Sequence, residues 1–311
     1  MGQGRFSVTI LGANSALPAN GRHPSAQYLE VYGGRYLLDC GEGTQLRLRQ
    51  FRLKMQGIRA IFISHLHGDH YFGLGGLLNS MHLLGRKQKL TICSPKGLKE
   101  LIDLQLKLGS GGFQYEVEYV ELGAENEPGD MVQVYADKYI SVQCFPLLHR
   151  IPCFGFLVKE HQKDRKYLPE VGAQYGVTLA DIPAIKRGAD FITKTGELIP
   201  NAVLTKDPPR TLSYAYCTDT LPLAETARFV QGVDWLYHEA TFLEADADRA
   251  RNTYHSTARQ AAQVARDANA VHLLIGHYSA RYDSLDALVN EARSVFPNTL
   301  PAEEGKSYTI G

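Results

Sequence analysis

The apolar positions of this chain follow two periods. "FSVTILG" from Phe6 alternates as a half-buried strand does, and "AQYLEVYGGRYLLDCG" from Ala26 reads as two strands joined by a two-residue hairpin turn at Gly33-Gly34. "EGTQLRLRQFRLK" from Glu42 takes helical spacing. The unbroken apolar run "IRAIFIS" from Ile58 has the pattern of a fully buried strand and leads through a histidine-rich turn into a helical "GLGGLLNSMHLLG". Strand-then-helix order returns in "KLTICSP" and "GLKELIDLQLKL", and "VQVYADKYISVQCFPLLH" and "CFGFLVKE" read as further strands. After Pro209 the order resumes with "TLSYAYCTD", "AETARFVQG", "VDWLYHEA", "HSTARQAAQVARDAN", "AVHLLIGH" and "SLDALVNEARSVF". Strands and helices mixed in both halves, with no linker between them, predict one α/β domain over 1–311, two sheets packed between helical layers.

From about Glu160 to Pro209 the pattern breaks. The stretch is charged and proline-spotted, with weak periodicity, and reads as an arm inserted over 160–209 rather than as part of the core. Its segment "GVTLADIPAIKRGADF" places Lys186 and Arg187 in a basic pair.

Four apolar strands each stop on a histidine or an aspartate: "IRAIFISH" at His65, "SVQCFPLLH" at His149, "TLSYAYCTD" at Asp219 and "AVHLLIGH" at His277. In layered α/β folds functional groups gather where strands end, so four such endings can converge on one point. The first ending continues as "SHLHGDHYFG". His65 and His67 are two apart, and an extended backbone turns both imidazoles to one side. Gly68 allows a sharp turn that brings Asp69 and His70 round the same centre. Imidazole and carboxylate together are what zinc and similar divalent ions prefer. A catalytic zinc takes about three protein ligands. The seven donors His65, His67, Asp69, His70, His149, Asp219 and His277 therefore suit two ions ~3.5–4 Å apart that share a carboxylate and a water. Such a pair suits in-line attack on a phosphodiester.

Charge narrows the partners. Lys plus Arg (33) equals Asp plus Glu (33), which excludes a uniformly basic coat and leaves any polyanion to local patches such as "RLRQFRLK", "GRKQK", "SPKGLK" and Lys186-Arg187. The five cysteines are scattered, and several sit in apolar runs, as expected of buried thiols in a reducing cytosol. No segment approaches the ~18 apolar residues of a membrane span. Met1-Gly2 opens the chain, but Phe6 stands where a myristoylated glycine needs Ser or Thr. A cytoplasmic protein with no membrane contact is expected.

His65-Leu66-His67-Gly68-Asp69-His70 resembles the signature of the metallo-β-lactamase superfamily, which implies an αββα sandwich, here with an inserted protruding arm. "LLDCGEGTQ", "SMHLLGR", "YCTDT", "HEATF", "HSTA" and "GHYSARY" narrow the resemblance to the ribonuclease Z family, tRNA 3′ endonucleases, from about Ile10 to Tyr282. The resemblance implies that His65, His67 and His149 bind one zinc and Asp69, His70 and His277 the other, with Asp219 bridging. It makes Asp69 the proton acceptor for the attacking water, and Glu239 and His255 the pair that protonates the departing 3′ oxygen. It also implies precursor tRNA as substrate, a homodimer, two Zn²⁺ per chain with Mn²⁺ or Mg²⁺ as substitutes, and a substrate-side loop "SPKG" carrying Lys96. Asp39 is expected to support the metal loop without binding metal, and His23, His82, His161, His238 and His272 to pack or face solvent. The arm lacks the Gly-Pro tip usual in the family, so its contacts to tRNA, with Lys186 and Arg187 as candidates, need not follow the family's. Two alternatives share the fold: another hydrolase, acting on small phosphodiesters or thioesters, and a catalytically silent RNA-binding scaffold. An inserted arm with basic patches argues against the first, and an intact donor set against the second.

Overall fold

A computed structural model describes residues 6–109, 111–123 and 130–310, so the Met1-Gly2 reading lies outside the described residues. Two seven-stranded sheets carry the larger of two compact units, Met1–Lys159 with Leu212–Gly311. In the first sheet the order is Ser307–Thr309, Phe6–Gly12, Ala26–Val31, Gly34–Leu38, Ile58–Phe62, Leu90–Pro95 and Val117–Leu122. In the second it is Thr299–Pro301, His272–Gly276, Trp235–Glu239, Ser213–Cys217, Cys153–Glu160, Ile140–Leu147 and Val132–Ala136. Parallel pairing joins Gly34–Leu38 through Val117–Leu122 in the first sheet and Ser213–Cys217 through Thr299–Pro301 in the second. The strands that lead to His65, Asp219 and His277 all lie in these parallel zones, whose carboxyl ends are where α/β folds build their sites.

Side-chain alternation separates the layers. Leu29, Tyr36, Leu38, Ala60 and Phe62 face the core shared with Phe145, Phe156, Tyr214 and Tyr216 of the second sheet. Tyr28, Leu37 and Ile61 turn the other way, onto a separate cluster with Leu74, Leu77, Leu98 and Ile102 of the helices Leu74–Leu83 and Leu98–Leu108. On the far side of the second sheet the helix Ala258–Asp267 packs through Ala258, Ala261, Ala262 and Ala265, small side chains that let helix and sheet approach closely. The result is the αββα sandwich. Two buried tyrosines of one strand tie the sheets together: Tyr214 donates to Gln27 Oε1 at 2.6 Å and Tyr216 to Asp39 Oδ2 at 2.7 Å.

The expected turn at Gly33-Gly34 is displaced by one residue. Val31 pairs with Gly34, so the loop is Tyr32-Gly33, and these two take φ of 49° and 85°. A two-residue hairpin of this kind needs positive φ at both loop positions, which Gly33 meets freely and Tyr32 at a cost. Gly34 is instead a strand residue pressed against Tyr36 and Tyr139, where a Cβ would collide. The strands Val117–Leu122, Thr299–Pro301 and Ser307–Thr309 and the helix Ala247–Thr253 were not marked by periodicity. Two of them have only three residues and pair at sheet edges, too short to display a period.

The second unit is Glu160–Thr211. It holds three short helices, Pro169–Gln174, Ile182–Lys186 and Asn201–Leu204, and two-residue strand pairs, around a cluster of Ile185, Ile199 and Leu204 with Tyr167, Val171 and Phe191. Among the described residues no helix is long and apolar enough to cross a membrane. All five cysteines are buried and free.

Candidate metal centre

The histidine-rich turn is shaped by sterics. His67 is extended (φ −77°, ψ 145°), and the next residue opens a single helical turn, Gly68–Tyr71, that carries Asp69 and His70. Gly68 gives the Phe72 ring its place, because a Cβ there would lie 2.2 Å from it and force the ring to move. At the other strand ends the backbone is strained. Asp39, Asp219 and His277 take φ of 55°, 35° and 57°, a left-handed conformation that costs a non-glycine residue about 1–2 kcal/mol. Such strain persists only where surrounding structure holds it, and here it aims three side chains at one place.

The donor atoms form two sets. His67 Nδ1 lies 3.1 Å from His65 Nε2 and 3.2 Å from His149 Nε2, and Asp219 Oδ2 lies 3.5 and 3.8 Å from the same two Nε2 atoms. In the second set His70 Nε2 lies 3.4 Å from Asp69 Oδ2 and 3.3 Å from Asp219 Oδ1, while His277 Nε2 lies 3.6 and 3.0 Å from those oxygens. Ligands at zinc bond lengths of ~2.0–2.2 Å stand ~3.3–3.6 Å apart at the corners of a tetrahedron. Asp219 gives one oxygen to each set.

Of the five imidazoles, all but His67 are turned by a partner behind them. His70 Nδ1 is 2.7 Å from Asp39 Oδ2, which can only accept, so Nδ1 carries a proton and Nε2 is the atom turned to the centre. Asp39 is itself fixed by the Ser64 amide at 2.7 Å, the Ser64 hydroxyl at 2.9 Å and Tyr216. With its proton given to Asp39, the Ser64 hydroxyl accepts from His65 Nδ1 at 3.0 Å. His149 Nδ1 donates to the Tyr254 carbonyl at 3.1 Å. Thr241 Oγ1 lies 2.5 Å from Glu239 Oε2 and 3.0 Å from His277 Nδ1; its one hydrogen goes to the carboxylate, and its oxygen accepts from the imidazole. Ser64, Tyr216, Thr241 and Tyr254 were not found from sequence. Thr241 stood inside "HEATF", and its place two residues after Glu239 was the available signal.

Electrostatics favour a cation at this point. Burial holds the imidazoles of His65, His67 and His149 below their ordinary value, so they are neutral donors. Burial would also lower His70, but the carboxylates of Asp219, Asp69 and Asp39 outweigh it and push His70 well up. Burial resists ionisation of Asp69 and Asp219, yet the facing imidazoles hold both low. His70 Nε2 and His277 Nε2 are buried without a hydrogen-bonding partner. Buried carboxylates together with buried lone pairs that meet no hydrogen are the chemistry a divalent ion satisfies, and the donor set fits one.

Beside the donors stands a second pair. Glu239 is fully buried; its Oε1 accepts from the Thr220 amide at 2.6 Å and from His255 Nδ1 at 2.9 Å. Burial opposes protonation of His255, but Glu239 reverses this and raises it to about 9. The segment "HSTA" is anchored behind it, with the Ser256 hydroxyl donating to the Thr220 carbonyl and Thr257 forming a capping box with Gln260. A cleft of about 520 Å³ opens onto His67, Asp69, His149, Asp219 and His255.

Lys96 is not in that cleft; it borders a separate cavity of about 740 Å³ with Leu66, Ile151 and Phe154. Lys186 and Arg187 line a polar cavity of about 680 Å³ inside the Glu160–Thr211 unit, together with Arg165 and Asp207. His272 packs tilted against Trp235, His23 pairs with Glu304, and His82 accepts from the Gln114 amide. His238 is buried with Nδ1 donating to the Glu239 carbonyl.

A family model described as Anti-Pycsar protein Apyc1 matches residues 6–164. Over 98% of its length the chain is 43% identical to Ribonuclease Z of Parabacteroides distasonis, 99% of which is covered, and 42% identical to Ribonuclease Z of Bacteroides thetaiotaomicron, 96% of which is covered. Among solved structures it is similar to human tRNase Z, short form, with TM-score 0.69, 28% identity and coverage of 98% and 99% of the two chains. It shares the fold of a long form RNase Z from yeast, with TM-score 0.72 and 18% identity, covering 98% of this chain and 42% of that one.

Proposed function

The chain belongs to the ribonuclease Z family, and on that premise we propose that it is a metal-dependent endoribonuclease that removes the 3′ trailer from precursor tRNA and leaves a 3′-hydroxyl on the tRNA. The observation that carries the reading is Asp219 divided between two donor sets. His65, His67 and His149 would hold one ion and Asp69, His70 and His277 the other, with Asp219 near enough to serve both. The ions are two Zn²⁺ per chain, with Mn²⁺ or Mg²⁺ able to substitute. When bound, they supply Lewis acidity towards the phosphoryl oxygens and a water acidic enough to attack near neutral pH.

The remaining steps fall to the chain's own groups. Asp69 takes the proton of the attacking water, and its Oδ2 is aimed by the Ala16 amide, which donates to it at 2.8 Å. His255 gives its proton to the departing 3′ oxygen, and Glu239 fixes its tautomer and keeps it protonated above neutral pH. Lys96 contacts a substrate phosphate. Lys186 and Arg187 of the inserted unit bind the tRNA. The enzyme works as a homodimer in the cytoplasm.

Beside the match to the Apyc1 model, the same fold admits a second reading, a hydrolase of smaller substrates. That match stops at residue 164, before Asp219, Glu239, His255 and His277, whereas the ribonuclease Z relatives match nearly end to end. Incubation of the protein with a trailer-bearing precursor tRNA, before and after chelation, tests the choice. Cleavage at the trailer junction, lost on chelation and restored by Zn²⁺ or Mn²⁺, is expected. No cleavage with either ion, or cleavage indifferent to chelator, would sink it. Light scattering giving twice the chain mass checks the dimer.

A further inference from the structure

We propose that Phe72, with Leu17 and Pro18, forms a stacking platform for the base of the first trailer nucleotide, directly beside Asp69; the proposal rests on the ribonuclease reading above. Phe72 is 66% exposed and Leu17 53%, and both border the cleft that holds the donors, as do Pro18 and Pro24. A single exposed aromatic needs no explanation. This one is placed by the catalytic turn itself: its ring covers Gly68, next to Asp69, and meets Tyr71 edge-on at 5.0 Å.

The Leu17 side is also built rather than loose. Ala16 takes a left-handed φ of 63°, which costs an alanine free energy, and its amide donates to Asp69 Oδ2 at 2.8 Å. Asn14 Nδ2 donates to the Leu17 carbonyl at 2.7 Å, and the Ser15 amide to the Tyr278 carbonyl at 2.9 Å. The apolar surface is therefore held in register with the group that accepts the water's proton.

Charge assigns the platform to a base rather than to phosphate. Among the described residues lining the cleft, Arg150 is the one Lys or Arg, and it belongs to the other stretch, donating to the Asn252 carbonyl at 2.9 Å two residues before Tyr254. The cleft lining also carries Glu42, which repels phosphate and can accept from an exocyclic amino group. Stacking on an aromatic face is indifferent to base identity, as an enzyme acting on many trailers needs.

The direction follows from in-line displacement. Water and the departing 3′ oxygen occupy opposite apices at phosphorus. The departing oxygen belongs to the last tRNA nucleotide and faces His255, which sits beside Arg150 and Thr253. The trailer stays on phosphorus through its 5′ oxygen, an equatorial position across that axis, so it runs away from the His255 apex, and the cleft offers it the lining beside Asp69 that includes Phe72.

Cleavage kinetics of the metal-loaded enzyme on precursor tRNAs with an intact or an abasic first trailer nucleotide test this. Phe72→Ala is expected to lower kcat/KM about tenfold on the intact substrate and to have no effect on the abasic one, while Phe72→Trp retains native rates. On a substrate abasic at the last tRNA nucleotide, Phe72→Ala should still cost about tenfold. An equal loss on intact and abasic trailers, or no loss on either, would overturn the platform. Insensitivity appearing with the abasic tRNA nucleotide instead would overturn its direction. Failure of the native enzyme to cut any of these substrates would remove the ribonuclease reading, and this proposal with it.

Discussion

The two donor sets share Asp219 and differ in what stands behind them. His70 is backed by the Asp39 carboxylate, and His277 by a threonine hydroxyl that leads to the Glu239 carboxylate. His65 and His149 are backed by a serine hydroxyl and a backbone carbonyl, and His67 presents Nδ1. The second set thus has two carboxylates among its ligands and a third one bond behind, while the first has three neutral imidazoles and a share of Asp219. Negative charge close behind a ligand raises its basicity, and ion binding follows. On the two-ion reading proposed above, the difference implies that the Asp69, His70 and His277 set would hold its ion more firmly, and that the set containing half-buried His67 would exchange more readily with the cleft.

The largest effect expected is from the shared residue. Asp219→Ala should remove both ions and lower cleavage well beyond the ~100-fold that loss of an orienting partner costs; metal analysis that still finds one firmly held ion per chain would break the picture of a common ligand. Next, His65→Ala and His277→Ala should each leave about one ion per chain, but chelator should strip the ion of His277→Ala faster. Equal rates of loss would erase the distinction between the sets. Asp39→Asn should speed loss of the second ion about 10- to 100-fold, with Ser64→Ala, which removes a neutral partner, costing less; the reverse order would show that charge behind the ligand is not what matters.

The smallest change expected in ion content, with a clear change in rate, is at Glu239. The carboxylate raises His255 to about 9, so His255 stays protonated through neutral pH and loses its proton as pH rises through that value. Glu239→Gln removes the cause and should bring the alkaline fall in cleavage to lower pH, with about a 10²-fold loss of kcat at neutral pH. A pH profile that keeps its shape while the rate drops would assign the pair a structural role only.

Much of this site could be read before any coordinates because its chemistry is concentrated. His65 to His70 put four donors in six residues, and His149, Asp219 and His277 each follow an apolar strand by one or two positions. Periodicity likewise marked the long buried strands and the amphipathic helices. It missed Thr299–Pro301 and Ser307–Thr309, whose strand character comes from the sheet edges they complete. It also set the first hairpin turn one residue late, because Gly33-Gly34 and Tyr32-Gly33 differ only in which pairing buries Tyr36.

What the sequence determined by itself was the inventory: seven metal-type donors at strand ends, an alternation that needs two sheets, and an insertion with its own composition. Tertiary structure decided how the inventory divides. No local pattern says that Asp219 turns one oxygen to each set, that Asp39 proton-locks His70 from 31 residues away, or that Ala16 crosses 53 residues to aim Asp69. Those choices depend on strands brought side by side by burial of the sandwich core, and on left-handed backbone at Asp39, Asp219 and His277 that only a packed surrounding can hold.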